Sequence, residues 1–138
     1  MSAERGSADP VGGEGPARPR VLVVDDDADM RQMTLLLIRR FGYEVEAVEN
    51  GAKAVEAVRT GGYRLVLMDV EMPGMDGLEA TRQIRALSLT GGQPRIIAVT
   101  GDHAPGDRAK CFTAGMDGHV AKPFLVEGLE SAIPGWIA

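Results

Sequence analysis

The sequence predicts an α/β domain with a five-stranded parallel sheet covered by helices on both faces. Three observations predict it. Short apolar runs alternate with helical stripes five times between Arg20 and Ile133, the pattern of repeated βα units. The runs Val21–Val24 and Leu65–Met68 are continuously apolar, as strands buried on both faces are. Chemically distinctive residues stand at the ends of the runs: Asp25 and Asp26, then Asp69, Thr100 and Lys122.

Each element has its own local justification. Val21–Val24 is the first strand. Met30, Met33, Thr34, Leu37 and Phe41 recur at helical spacing, and Gly42 suits the position after a helix C-terminus. Glu44–Val48 alternates, as a half-exposed strand does. Asn50-Gly51 opens a helix through Arg59, closed by Gly61-Gly62. Leu65–Met68 is the third strand. Asp76-Gly77-Leu78-Glu79 has the form of a capping box, with Asp76 as N-cap and Glu79 at the third helical position, and the helix runs to about Leu87. Ile96–Val99 is the fourth strand. A helix follows from near Pro105 to Ala114, with Gly115 at its end. Val120-Ala121 marks a short fifth strand. Leu125, Leu129 and Ile133 form the last helical stripe, which Pro134 is expected to stop.

The remaining composition narrows the function. A chain of 138 residues, 44% of them hydrophobic, suits one domain with one core. Residues 1–19 are Gly, Pro, Ala, Ser and charge, and are expected to be a disordered leader or linker ahead of a folded domain at 20–138. A net charge of −5 argues against a nucleic-acid surface. No apolar run approaches the roughly 18 residues of a membrane span, and no secretory signal opens the chain. The single cysteine, Cys111, excludes an internal disulfide and points to a cytosolic compartment; it is expected to face the core. The methionines at helical spacing are expected as core fillers.

Ligands of open parallel sheets bind beyond the carboxyl ends of the strands, where the strand order reverses. Asp25, Asp26, Asp69, Thr100 and Lys122 all fall at that edge. Clustered carboxylates repel one another unless a cation compensates them, and Mg²⁺ with oxygen ligands is the natural choice. Lys122 adds a mobile positive charge and Thr100 a hydroxyl donor. Such a set can orient and neutralise a phosphoryl group with one carboxylate as nucleophile. Asp69 suits that role because it is the lone acid at its strand end.

Each residue also has a plainer reading. Asp25-Asp26-Asp27 can cap a helix and compensate its dipole, and Asp27 is the one expected to do only that. Asp69 can be a turn aspartate, Lys122-Pro123 a loop and Thr100 a strand-end hydroxyl. Asp25, Asp27 and Asp29 have the spacing of the first calcium-loop ligands, but Met30 and Leu36 stand where that loop needs Gly and Glu. Gly91-Gly92 is not followed by the Lys-Ser or Lys-Thr of a phosphate loop. His103 and His119 are not spaced as a metal pair.

Taken together, Val23-Val24-Asp25-Asp26, Met68-Asp69 with Met72-Pro73-Gly74-Met75-Asp76-Gly77, Val99-Thr100-Gly101 and Lys122-Pro123-Phe124 resemble the receiver domain of two-component response regulators. The resemblance spans Arg20 to about Ile133. It implies a flavodoxin-like (βα)5 fold, doubly wound, with strand order 2-1-3-4-5. It implies that Asp69 is the phosphoacceptor, taking a phosphoryl group from a phosphohistidine. Asp26 and Asp69 would bind Mg²⁺ directly and Asp25 mostly through water, with Glu71 supplying a backbone carbonyl. Thr100 and Lys122 would contact the phosphoryl oxygens, and the Lys122–Pro123 bond would be cis. The partner would be a histidine kinase or a histidine-containing phosphotransfer domain. Such a domain is a signalling element, not a turnover enzyme, and catalyses only its own phosphorylation and dephosphorylation.

Two positions depart from the family's common pattern. His119 occupies the switch position, usually Tyr or Phe, that acts with Thr100. Gly101 stands where Ala is common. The wording Glu79-Ala80-Thr81-Arg82 and Ala114-Gly115-Met116-Asp117 is most similar to receivers of hybrid sensor histidine kinases. Two other readings stay open. A Mg²⁺-dependent phosphatase of the haloacid-dehalogenase type also uses a strand-end aspartate, but its expected Gly-Thr pair is absent after Asp25-Asp26-Asp27. A nucleotide-binding flavodoxin-like module lacks its Gly-rich first turn.

Overall fold

The structure, a computed structural model, describes residues 18–101, 107–122 and 126–137. Strands and helices alternate along the chain: β1 (Arg20–Val24), α1 (Ala28–Arg40), β2 (Glu44–Val48), α2 (Gly51–Gly61), β3 (Leu65–Asp69), α3 (Gly77–Arg85), β4 (Arg95–Thr100), α4 (Asp107–Ala114), β5 (Gly118–Ala121) and α5 (Val126–Ile137). The strands form one sheet in the order β2-β1-β3-β4-β5, every pair parallel. The chain starts in mid-sheet, steps out to β2, then returns past β1 to β3. The order therefore reverses between β1 and β3, and the crevice of the fold opens at their carboxyl ends.

Alternation along the strands divides the core in two. Leu22, Val24, Val66, Met68, Ile96 and Ala98 pack on one face with Ala54, Val55 and Val58 of α2, Ala80 and Ile84 of α3, and Cys111 of α4. Val21, Val23, Leu65, Leu67, Ile97 and Val99 pack on the other with Ile38 of α1 and Leu129 and Ile133 of α5. The continuous apolar runs of β1 and β3 thus feed both cores, whereas β2 is only partly buried.

The helix ends follow their sequence signals with three differences. Asp27 caps α1 by accepting from the N–H groups of Asp29 and Met30 at 3.0 and 3.2 Å, and Gly42 beyond it has φ 102°. The face that α1 buries differs from the expected stripe at its edge: Thr34 of the stripe is buried together with Ile38, which lay outside it, whereas Met33 of the stripe is 46% exposed. Thr34 and Ile38 lie four residues apart and so share one line of the helix; Met33 stands off it. Asp76 caps α3 through the Glu79 N–H at 2.9 Å, but the Glu79 carboxylate bonds Arg82 and Gln83 instead of returning to the cap. Finally, α5 continues through Pro134 to Ile137. Proline removes one backbone donor, but Leu129 and Ile133 stay buried with Trp136 and Ile137 against them, and Arg64 donates to the Ile137 carbonyl at 2.5 Å.

Most of the expected leader (residues 1–17), the expected start of the fourth helix at 102–106, the Lys122–Pro123 bond, Phe124 and Leu125 lie outside the described residues. Pro19 already accepts from the Glu44 N–H at 3.2 Å.

Candidate metal and phosphoryl site

Parallel strands end on one edge, so the sheet register assembles the site. Val24 pairs with Met68, which sets Asp25 just past the end of β1 and Asp69 on the last residue of the adjacent β3. Thr100 ends β4 opposite Ala121, one residue before Lys122. The Asp25 N–H still bonds the Val48 carbonyl at 3.1 Å, and the Lys122 N–H bonds the Thr100 carbonyl at 2.8 Å.

One carboxylate oxygen from each of Asp25, Asp26 and Asp69 lies within 4.8 Å of the others. Asp25 and Asp69 are buried, at 4% and 5% exposure, and Asp26 is exposed. The two buried carboxylates are held alike. Each gives one oxygen to a backbone N–H two residues on, from Asp27 to Asp25 at 2.9 Å and from Glu71 to Asp69 at 3.1 Å. Each turns the other oxygen to Lys122, whose Nζ lies 3.3 Å from Asp25 Oδ2 and 3.4 Å from Asp69 Oδ2.

This arrangement leaves a charge deficit. Among the described residues, three carboxylates face one ammonium, and the low-dielectric setting makes the imbalance felt. Burial pushes the Asp69 carboxyl up to about 6, the Asp25 charge adds to the rise, and Lys122 with the Glu71 N–H only partly opposes it. Burial works against the Lys122 ammonium too, but Asp69 and Asp25 outweigh it and hold the lysine above its usual value. An all-oxygen donor set with excess negative charge fits a hard divalent cation.

Thr100, 6% exposed, lines a neighbouring cavity of about 480 Å³ together with Glu71, Met72, Lys110, Cys111 and His119. His119 pairs with Ala98 on the sheet's last strand and is partly buried. The structure therefore brings Asp25, Asp26, Asp69 and Lys122 into one cluster and sets Thr100 and His119 in the cavity beside it. Glu71 joins the two through its N–H on Asp69 and its place in the cavity wall. Cys111 is buried as expected.

Two positions at the site carry no separate signal in the sequence. Arg31 of α1 donates to the Asp25 carbonyl at 2.9 Å; in sequence it is one charge among several on a helix. Gly77 brings the start of α3 against β3, where a Cβ would lie 2.3 Å from the Asp69 carbonyl oxygen; in sequence it belongs to a turn.

Residues 21–134 match the response regulator receiver domain family. The chain is a response regulator receiver domain. It is 37% identical over 118 residues to the CAI-1 autoinducer sensor kinase/phosphatase CqsS of Vibrio cholerae, covering 86% of this chain and 17% of that protein. It is 39% identical over 120 residues to the sensor protein GacS of Pseudomonas syringae, covering 86% of this chain and 13% of that protein. The receiver thus spans less than a fifth of the length of these relatives. Among solved structures, the receiver domain of sensor histidine kinase PA1611 from Pseudomonas aeruginosa, which has a magnesium ion coordinated in its active-site cleft, is 36% identical with TM-score 0.79, covering 88% of this chain and 98% of that one. The chemotaxis protein CheY4 of Vibrio cholerae is 29% identical with TM-score 0.81, covering 87% and 99%. The receiver's strand order is the one the resemblance implies, and the haloacid-dehalogenase phosphatase reading finds no support. Among the described residues, no helix is long and apolar enough to cross a membrane.

Proposed function

We propose that Asp69 is the phosphoacceptor of this receiver and takes a phosphoryl group from a phosphohistidine. The observation that supports it is the shared grip of Lys122 on Asp25 and Asp69 beside the exposed Asp26. Asp69 Oδ2 attacks phosphorus as the P–N bond breaks, and the bonding pair leaves with the imidazole nitrogen. The product is an acyl phosphate on Asp69. Asp26 and Asp69 would hold Mg²⁺ directly and Asp25 mostly through water, with the Glu71 backbone carbonyl, and the bound cation would supply neutralisation of the acidic cluster and polarisation of the phosphoryl oxygens. Lys122 exchanges its contact with Asp69 Oδ2 for a phosphoryl oxygen, and the Thr100 hydroxyl donates to another. Thr100 and His119 report the new charge through the cavity they share.

The donor is a histidine kinase or a histidine-containing phosphotransfer domain, in keeping with sensor kinases among the relatives. The outer face of α1, where Met33 and Leu36 are exposed in one patch with Leu37, Arg39 and Arg40, offers that partner an apolar strip on the helix that Asp27 caps. The receiver acts in the cytoplasm, as residues 20–138 joined to a leader at 1–19, with no contact to nucleic acid or membrane. It turns over no substrate besides its own phosphoryl group. The test is mass spectrometry after treatment with acetyl phosphate and Mg²⁺. One phosphoryl adduct on Asp69 is expected; an adduct on Asp25 or Asp26 with Asp69 unmodified overturns the assignment.

A further inference from the structure

We infer that Arg31 is a positioning residue for the divalent-cation site, holding the backbone of Asp25 from α1 so that Asp25 and Asp26 present their carboxylates together. The inference rests on the reading of the acidic cluster as a cation site.

The ladder between β1 and β2 ends at the pair Val24–Val48. Past that point Asp25 needs other partners, because a buried peptide group left unpaired is costly. Its N–H is held by the Val48 carbonyl and its Oδ1 by the Asp27 N–H. Its carbonyl receives the Arg31 Nη1 at 2.9 Å. With Lys122 on its Oδ2, Asp25 is held at four points, and among the described residues only the Arg31 bond reaches it from the body of a helix. That bond ties the turn carrying Asp25 and Asp26 to α1, whose own start is fixed by the Asp27 cap.

Arg31 thus acts on Asp25 through its peptide group and not through its carboxylate. Outer partners of this kind orient ligands, and their loss typically weakens metal binding by roughly 10–100-fold.

Charge and geometry make opposite predictions here. Arg31 is a cation close to a cation site, so if charge alone mattered its removal would tighten Mg²⁺ binding. If it positions Asp25, removal weakens binding. The experiment is an MgCl₂ titration of the whole chain, followed through the backbone amide shifts of Asp26 and Asp27. Wild type is expected to bind; a wild type that does not respond overturns the cation-site reading itself. Given binding, Arg31→Ala is expected to lower Mg²⁺ affinity about tenfold and to move the Asp26 and Asp27 amides before any Mg²⁺ is added. Arg31→Lys, which keeps a donor and the charge, is expected to recover part of that loss. Unchanged or tighter binding by Arg31→Ala, or no recovery in Arg31→Lys, overturns the role of Arg31 alone. Should Arg31→Ala fail to fold, Arg31→Gln is titrated in its place with the same direction expected.

Discussion

Lys122 Nζ lies 3.4 Å from Asp69 Oδ2, the oxygen that the proposed chemistry needs. The lysine shields the acceptor and its neighbour Asp25 at once. An ammonium on a flexible stem can move from a carboxylate to a phosphoryl oxygen as the negative charge moves. The pair is a resting contact here, and in the proposed function it is also a component of phosphoryl binding.

Asp69→Asn is expected to abolish labelling by acetyl phosphate with Mg²⁺, because the amide offers no anionic nucleophile. Circular dichroism should show the fold retained. Labelling at wild-type level in the variant would remove Asp69 from the chemistry.

Asp26→Ala is expected to weaken Mg²⁺ binding by about tenfold or more, at least the loss typical of an outer-shell partner. Asp26 is the exposed member of the cluster, so its loss should change thermal stability little, within about 0.5 kcal/mol. An unchanged Mg²⁺ titration would place the ion elsewhere.

Stability should depend on pH through Asp69. Its carboxyl rises from 3.8 to about 6 on folding in the metal-free protein. The folded state then binds the proton more tightly, so this contribution is full at low pH and is lost as pH rises through about 6. Mg²⁺ competes for the ionised form. Thermal melts should show a larger Mg²⁺-induced increase in Tm at pH 7.5 than at pH 5. Equal increases at the two pH values would contradict the assignment.

Gly77→Ala is expected to destabilise the domain by about 1–3 kcal/mol through overpacking, since the added Cβ meets the Asp69 carbonyl oxygen at 2.3 Å. Urea denaturation measures it. Wild-type stability would mean that α3 can shift away from β3 at little cost.

Met33→Asp with Leu36→Asp is expected to leave labelling by acetyl phosphate intact while slowing transfer from a phosphohistidine partner about tenfold or more, as loss of apolar anchors does. Equal slowing with both donors would point to damage at the site, and no slowing to a different docking face.

The residues that were legible in the sequence share a property: their signal is local. Asp69 follows a continuous apolar run and precedes a turn, and that is enough to place it at a strand end. Asp27, Asn50 and Asp76 cap helices because capping depends on the next three residues alone. What was not legible depends on distant partners. The face α1 turns inward is set by the sheet beneath it, so Ile38 is buried and Met33 is not. Pro134 lies within α5 because packing of Ile133 and Ile137 outweighs a local helix-breaking preference. Arg31 reads as surface charge until the fold brings Asp25 to it.

The site draws on β1, β3, β4 and β5, and its ammonium comes from the last of these in chain order. During synthesis the carboxylates leave the ribosome well before Lys122 does. A nascent chain released only through β4 carries the acidic cluster without its counter-charge. Domains generally fold as units, and here the unit is not electrostatically complete until β5 docks on β4. A fragment that stops before β5 is thus expected to leave Asp25 and Asp69 without the cation they share and to fold less stably than the whole domain.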